Sequence, residues 1–243
     1  MNRRKFLTAA ATVGTALTAL PMGRALGADE TNTSQVKGLV TGKSKLTPPA
    51  NGSIPVAILI SESLNVIDFS GPWGVFESVS LPNATEPPFR LCTVAEKADL
   101  VVSGSGLKLM PHYTFANVPE MKVVVIPAQK GSDAMIEWLR KTAPTADVTM
   151  SVCTGAFKLA KAGLLSGKAA TTHHEYLDEL QKMFPDIQVK RGVRFVENEK
   201  ISTAGGLTSG TDLALRVVER YFGREVAQTT AIYMEYQSKG WIV

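Results

Sequence analysis

Cys153 is the side chain best placed to do chemistry. It lies in Ser151-Val152-Cys153-Thr154-Gly155, where an apolar run ends and a helical pattern begins. A strand–nucleophile–helix junction exposes the side chain at its sharp turn above a sheet. The partial positive charge at the start of the helix is expected to favour the thiolate there. Gly155 leaves room for close approach. The competing reading is a buried structural thiol, the ordinary fate of a lone cysteine. That reading is adopted for Cys92, which sits inside the strand-like FRLCTVA.

Asp68 is the second candidate, in Asn65-Val66-Ile67-Asp68-Phe69-Ser70-Gly71-Pro72. The pattern places it in a loop, with a helix over 70–80 that Pro72 would open well. As a helix cap it would be structural. If it reaches Cys153 across the ends of neighbouring strands, like-charge repulsion and burial would hold its proton, making it a general acid. His173 follows a strand end and is either a base for Cys153 or a solvated loop residue. Gly205-Gly206-Leu207-Thr208-Ser209-Gly210 lacks the Lys and spacing of a phosphate loop, so it reads as a tight turn. The chain has three His and two Cys, and neither Cys is in a CxxC pair. Adjacent His173 and His174 are expected to point apart, so no metal site is expected.

The elements that must position these residues are strands alternating with helices. Ile54–Ile60, Phe89–Ala95, Met121–Pro127 and Ala146–Val152 are short apolar runs, as buried parallel strands are. Leu107–Met110 suggests a hairpin insertion. Helical spacing covers 132–141 behind a Ser N-cap, 154–162, 174–183 and 209–222, and Ser209 with Asp212 resembles a capping box. Shorter strands are expected at 169–172, 187–190, 194–196 and 201–203. The fold class is therefore α/β, one domain with a mostly parallel sheet sandwiched by helices. Ligands then bind beyond the strand C-termini.

The 243 residues hold 26 Lys plus Arg and 22 Asp plus Glu, a formal charge of +4. Arg3, Arg4, Lys5 and Arg24 lie in residues 1–28 with no acidic residue, so the remainder is balanced at 22 each. That balance gives no electrostatic case for nucleic acid as a partner. The first 28 residues read as an export signal, and Arg3-Arg4 before Lys5-Phe6-Leu7 resembles the twin-arginine type. Export to the periplasm or another extracytoplasmic space is expected. Contact with a membrane is expected only through this segment, if it is retained as an anchor. Residues 29–53 read as a flexible linker and 54–243 as the folded domain.

VIDFSGPWGVFE, SVCTGAFKLAKAGLLSGKAATTHHEYLDEL and FPDIQVKRGVRFVENEKISTAGGLTSGTDLALRVVER together resemble the ThiJ/PfpI superfamily, which has a class I glutamine amidotransferase-like (flavodoxin-like) fold. The matching branch holds isonitrile hydratase and the amidotransferase-like domains of AraC-type regulators. The resemblance implies Cys153 as nucleophile, Asp68 as its partner carboxyl and Thr154 as a neighbouring hydrogen-bonding residue. It also implies Gly71, Ala128, Gln129, His173 and His174 as substrate-pocket candidates, a small-molecule substrate, a homodimer and no cofactor. Ala128-Gln129 stands where relatives usually carry Gly-Gly, which helps form an oxyanion hole, and His174 stands where they usually carry Trp. The activity implied is hydration of an isonitrile. The alternatives are glyoxal-type, amide or peptide hydrolysis by the same thiol, or a non-catalytic binding domain of the same fold.

Overall fold

A computed structural model describes residues 36–42 and 45–243. The expected signal at 1–28 lies outside these residues, as do 29–35 and 43–44 of the expected linker. Among the described residues, no helix is long and apolar enough to cross a membrane.

The strands are β1 Leu39–Val40, β2 Ile54–Leu59, β3 Phe89–Ala95, β4 Val101–Val102, β5 Lys108–Leu109, β6 Tyr113–Thr114, β7 Val123–Ile126, β8 Val148–Ser151, β9 Ala169–Ala170, β10 Gln188–Val189, β11 Phe195–Asn198 and β12 Ile201–Ala204. The helices are α1 Val66–Glu77, α2 Asp133–Thr142, α3 Ala156–Lys161, α4 Leu177–Met183, α5 Ser209–Phe222 and α6 Arg224–Tyr233. An eight-stranded sheet runs β1-β11-β12-β8-β7-β2-β3-β6, and only the β11–β12 pairing in it is antiparallel. β4 and β5 form the expected hairpin, a separate antiparallel pair.

The continuous apolar strands are explained by burial on both faces. Val56, Ile58, Val123 and Val125 pack with Val75, Phe76, Leu213 and Val217 of α1 and α5. The alternate residues Ala57, Leu59, Val124 and Ile126 pack with Met135, Leu139, Ala156 and Leu180 of α2, α3 and α4. Each of these large side chains, fully buried, contributes roughly 1.5–3 kcal/mol. From β2 the chain moves outward to β3 and β6, then returns to β7 and proceeds to β8 and β12. This reversal opens a crevice beyond the C-terminal ends of β2 and β7.

Three expectations need correction. The linker is not a tether over its described part: β1 pairs with β11, and the Leu46 N–H donates to the Arg220 carbonyl at 2.8 Å. Two paired residues are too short for apolar periodicity to reveal. Helix α1 begins at Val66, so Asp68 lies in its first turn and Pro72 lies inside the helix. Pro72 lacks the N–H that would bond the Asp68 carbonyl, and packing of α1 against α5 overrides that loss. A Cβ on Gly71 would sit 2.7 Å from Thr211 Oγ1, so the two helices touch here. The capping box is not formed, because Thr208 is the N-cap and makes no side-chain cap bond. Asp212 instead binds Arg194 and Ser238. Helix α6 was not expected, since its buried stripe is the small Ala227, Thr230 and Ala231.

Gly155 sets the closest approach in the sheet's upper edge. A Cβ there would lie 2.0 Å from the Ile126 carbonyl oxygen and 3.1 Å from that of Pro127, both backbone atoms that cannot swing aside. Gly155→Ala is therefore expected to cost about 3 kcal/mol or more by overpacking. Gly163→Ala meets open space and only the penalty of its φ of +78°, about 1–2 kcal/mol. Chemical denaturation of the two variants checks the order; equal midpoints would refute it.

Candidate active site

Cys153 sits where β8 gives way to a 3₁₀ turn over Cys153–Gly155 and then to α3. Its φ is +56°, a left-handed conformation costing a non-glycine residue of order 1–3 kcal/mol. The surroundings fix it there. Its N–H donates to the Gly205 carbonyl at 2.8 Å, and its own carbonyl accepts from Thr172 Oγ1 at 2.8 Å. The Val152 N–H donates to the Ile126 carbonyl at 3.0 Å. Leu207, across the site, is a second left-handed residue at φ +50°. The backbone N–H groups of Thr154 and Leu207 both serve the sulfur, favouring its anionic form.

The Asp68 side chain is fully buried beneath this turn. Its Oδ2 accepts from the Ala128 N–H at 3.0 Å, while Oδ1 makes no ordinary hydrogen bond. Burial raises the carboxyl to about 6, against the opposing pull of the Ala128 N–H and, more weakly, of the Cys153 thiol. Two regions far apart in sequence are thus joined: the first turn of α1 and the elbow after β8.

The expected stabilised thiolate is not found. Burial, then the Asp68 carboxylate, push the Cys153 thiol up to about 11. Thr154 N–H, Leu207 N–H and Lys158 of α3 pull the other way and lose. The helix-terminus argument fails because the first turn is a 3₁₀ turn leading into a six-residue helix, while a buried carboxylate adjoins the sulfur. Near neutral pH the site rests with a protonated thiol beside an ionised carboxylate. The carboxylate can then accept the thiol proton as sulfur attacks and return it to the adduct. Cys92 fits its structural reading: its Sγ donates to the Val56 carbonyl at 3.4 Å, and burial pushes it up to about 11.

A cavity of about 460 Å³ opens over the sulfur. Of the expected residues, Ala128, Gln129, Thr154 and His173 line it. Gly71 and His174 do not. Gly71 is spent on the contact with α5, and His174 is exposed behind His173. Their rings do not diverge as expected but lie 4.5 Å apart between centroids, because His173 precedes a 3₁₀ turn that begins at His174. Nδ1 of His173 accepts from the Glu175 N–H at 3.4 Å. Ser63, Asn65, Glu175, Tyr176 and Leu207 also line the cavity. Nothing in their spacing marks them, since they arrive on three separate segments: the loop before α1, the 3₁₀ turn at 174–176 and the turn before α5.

The Ala128-Gln129 pair has two consequences. The Ala128 N–H is committed to Asp68, so the donors facing the Cys153 sulfur are those of Thr154 and Leu207. Gln129 is 7% exposed, and neither Oε1 nor Nε2 has a hydrogen-bond partner. Leaving such groups unpaired costs about 1–3 kcal/mol each. A larger cavity of about 720 Å³ lies at the opposite ends of the strands, beside Ala169, Asn198 and Ile201, and no cysteine lines it. Among the described residues, no group of three or more His, Cys, Asp or Glu is placed to hold a metal ion.

The chain is similar to isonitrile hydratase of Pseudomonas putida, 32% identical over 190 residues that span 76% of this chain and 79% of that protein. It is also 33% identical over 101 residues to the HTH-type transcriptional regulator CdhR of Pseudomonas aeruginosa, covering 42% of this chain and 30% of the regulator. Among solved structures, a ThiJ/PfpI family protein from Pseudomonas syringae aligns with a TM-score of 0.66 at 25% identity, over 89% of this chain and 84% of its own. Drosophila melanogaster DJ-1beta shares the fold, with a TM-score of 0.64 at 17% identity over 76% of this chain and 98% of its own. The DJ-1/PfpI family pattern matches residues 55–220, a stretch that contains Asp68, the Cys153 elbow and Leu207. The chain belongs to the DJ-1/PfpI family.

Proposed function

We propose that this chain is a cysteine-dependent hydratase that adds water to an isonitrile, or a similar small electrophile, to give an N-substituted formamide. The observation that carries the reading is the buried Asp68 carboxyl beside the Cys153 thiol, under a cavity open to a small molecule. The similarity to isonitrile hydratase supports the choice of substrate. Export by a twin-arginine signal and assembly as a homodimer belong to the same proposal.

The chemistry follows from the resting protonation state. As Sγ bonds to the isonitrile carbon, its proton passes to Asp68, which returns it to that carbon and leaves a thioimidate, R–N=CH–S. Water then adds to the same carbon. Asp68 takes a proton from the water and passes it to the imine nitrogen. The C–S bond breaks, the thiol recovers its proton from the hydroxyl of the adduct, and R–NH–CHO leaves. Thr154 and Leu207 N–H groups face the sulfur and stabilise it whenever it carries negative charge, as attacker and as leaving group.

A second reading is a binding domain that retains the fold without turnover. The thiol pushed up to about 11 and the Ala128 N–H withdrawn toward Asp68 favour it, as do the regulators among the relatives.

Incubation of the purified protein with cyclohexyl isocyanide, followed by chromatography for N-cyclohexylformamide, separates the readings. Cys153→Ala is expected to lose at least about 10³-fold in kcat/KM, and Asp68→Asn about 10²–10⁴-fold. Formamide yield unchanged in Cys153→Ala would remove the mechanism, and no formamide from the native protein would favour the binding domain or another electrophile.

The pH dependence gives an independent check. kcat/KM is expected to rise through about pH 6 as Asp68 ionises and to hold until the thiol titrates near 11. Stability moves oppositely. The folded carboxyl lies at about 6 against an ordinary 3.8, so folding takes up a proton between those values and stability falls as pH rises through them. Asp68→Asn is expected to flatten that part of the thermal-melting profile. A wild-type profile already flat between pH 4 and 6 would contradict the buried carboxyl.

A further inference from the structure

Leu207 offers its N–H to the Cys153 sulfur from a left-handed backbone, at φ +50°. Leucine rarely adopts that conformation, because its Cβ crowds the following carbonyl. Its side chain does not hold it there, being 41% exposed. The turn must therefore be fixed by the residues on either side.

Arg194, the residue before β11, grips both sides. Its carbonyl accepts from the Gly205 N–H at 2.9 Å, and the Gly205 carbonyl in turn accepts from the Cys153 N–H. Its guanidinium donates to Thr208 Oγ1 at 3.1 Å. Leu207 thus lies inside a bracket made by one residue. A Cβ on Gly206 would lie 2.4 Å from the His173 ring, so the middle of the turn is backed by His173. The guanidinium is itself anchored: its Nε donates to Asp212 Oδ2, and Ser238 Oγ donates to Oδ1 at 2.9 Å. Asp212 is fully buried, and a carboxylate so placed fixes a guanidinium in both position and plane. A further tie comes from the Tyr236 hydroxyl, which donates to the Thr208 carbonyl at 3.3 Å. Arg194, Thr208, Asp212 and Tyr236 do not line the cavity over Cys153, so they act on the sulfur only through the turn they hold. Lys158, the cation that acts on the sulfur directly, stands on α3 and is independent of this bracket.

We propose that Arg194 is a positioning residue for Cys153: held by Asp212, it keeps Leu207 turned so that its N–H meets the sulfur. This rests on the reading of Cys153 as nucleophile and deepens it by naming what holds the donor in place.

Arg194→Met would strand the buried Asp212 carboxylate and so endanger folding. Milder variants avoid this. Arg194→Lys keeps a cation for Asp212 but, with one ammonium, cannot also hold Thr208. Thr208→Val removes the hydroxyl at an exposed position, and Thr208→Ser retains it. Thermal melting confirms that each variant is folded. Alkylation of Cys153 by iodoacetamide is then followed between about pH 7 and 10 on the Cys153 peptide by mass spectrometry, a range over which the rate tracks the thiolate fraction. Because the thiol titrates near 11, a lost N–H lowers the rate at every pH in that range. Arg194→Lys and Thr208→Val are expected to react about 3–10-fold more slowly than the native protein, and Thr208→Ser within about 2-fold of it, the scale of one hydrogen bond. kcat for cyclohexyl isocyanide should fall by a similar factor with KM unchanged, since neither residue lines the cavity.

A native alkylation rate in either folded Arg194→Lys or folded Thr208→Val would overturn the proposal, whatever the change in melting temperature. So would a loss in Thr208→Ser as large as in Thr208→Val, or a native Cys153 that resists iodoacetamide across the whole range. If the native protein hydrates no isonitrile, the reaction class proposed above fails while the alkylation rates still decide the role of Arg194.

Discussion

The left-handed backbone at Cys153 is the constraint on which the rest of the site depends. A cysteine does not adopt φ of +56° without compensation. Here the compensation is a set of backbone contacts that pin the turn from three sides. β12 ends at Ala204, so the Gly205 carbonyl falls opposite the Cys153 N–H. β7 ends at Ile126, whose carbonyl both accepts from Val152 and lies against Gly155. Thr172 reaches over from beyond β9 to the Cys153 carbonyl. The parallel sheet therefore acts as a jig. Its strand ends are in register, and that register holds one side chain above the crevice.

The same burial that fixes the turn sets its electrostatics. An exposed cysteine at a helix start would be a better nucleophile at rest. This thiol shares a buried pocket with a carboxyl group, and two negative charges there would repel strongly. One proton is therefore held between them, predominantly on sulfur near neutral pH because the carboxyl lies at about 6 and the thiol at about 11. Under the proposed function, the pair suits a reaction that needs a proton delivered to carbon soon after sulfur attacks. It also protects the thiol when no substrate is present. The Ala128 N–H contributes to this balance by lowering the carboxyl, at the expense of any contact with substrate.

Much of this architecture was legible in the residues. Ile54–Leu59, Val123–Ile126 and Val148–Ser151 are apolar on both faces because both are covered, so their runs announce parallel strands. Their alternation with amphipathic segments such as α5 then placed Cys153 at the sheet's edge. The misreadings have a common cause. Pro72 promised a helix start, the Ser209–Asp212 spacing promised a cap, and the helix terminus promised a thiolate. Each is a local preference of modest size, and each was outweighed by a contact from elsewhere in the chain. α1 packs on α5 through Gly71, Asp212 is taken by Arg194 and Ser238, and Asp68 lies beside the sulfur. β1 and α6 were missed for the opposite reason, having too few large apolar residues to leave a pattern.

The sequence by itself determined the class of fold and singled out Cys153 and Asp68 as candidates for chemistry, because burial pattern and residue type are written position by position. The tertiary structure decided which of these groups meet and in what state. It put Asp68 under Cys153, withdrew the Ala128 N–H from the cavity, turned His174 outward and left the Gln129 amide without a partner. Those outcomes depend on distances between segments far apart along the chain and on how completely water is excluded between them. A desolvation free energy belongs to a place in the fold, and no spacing of residues along the chain encodes it.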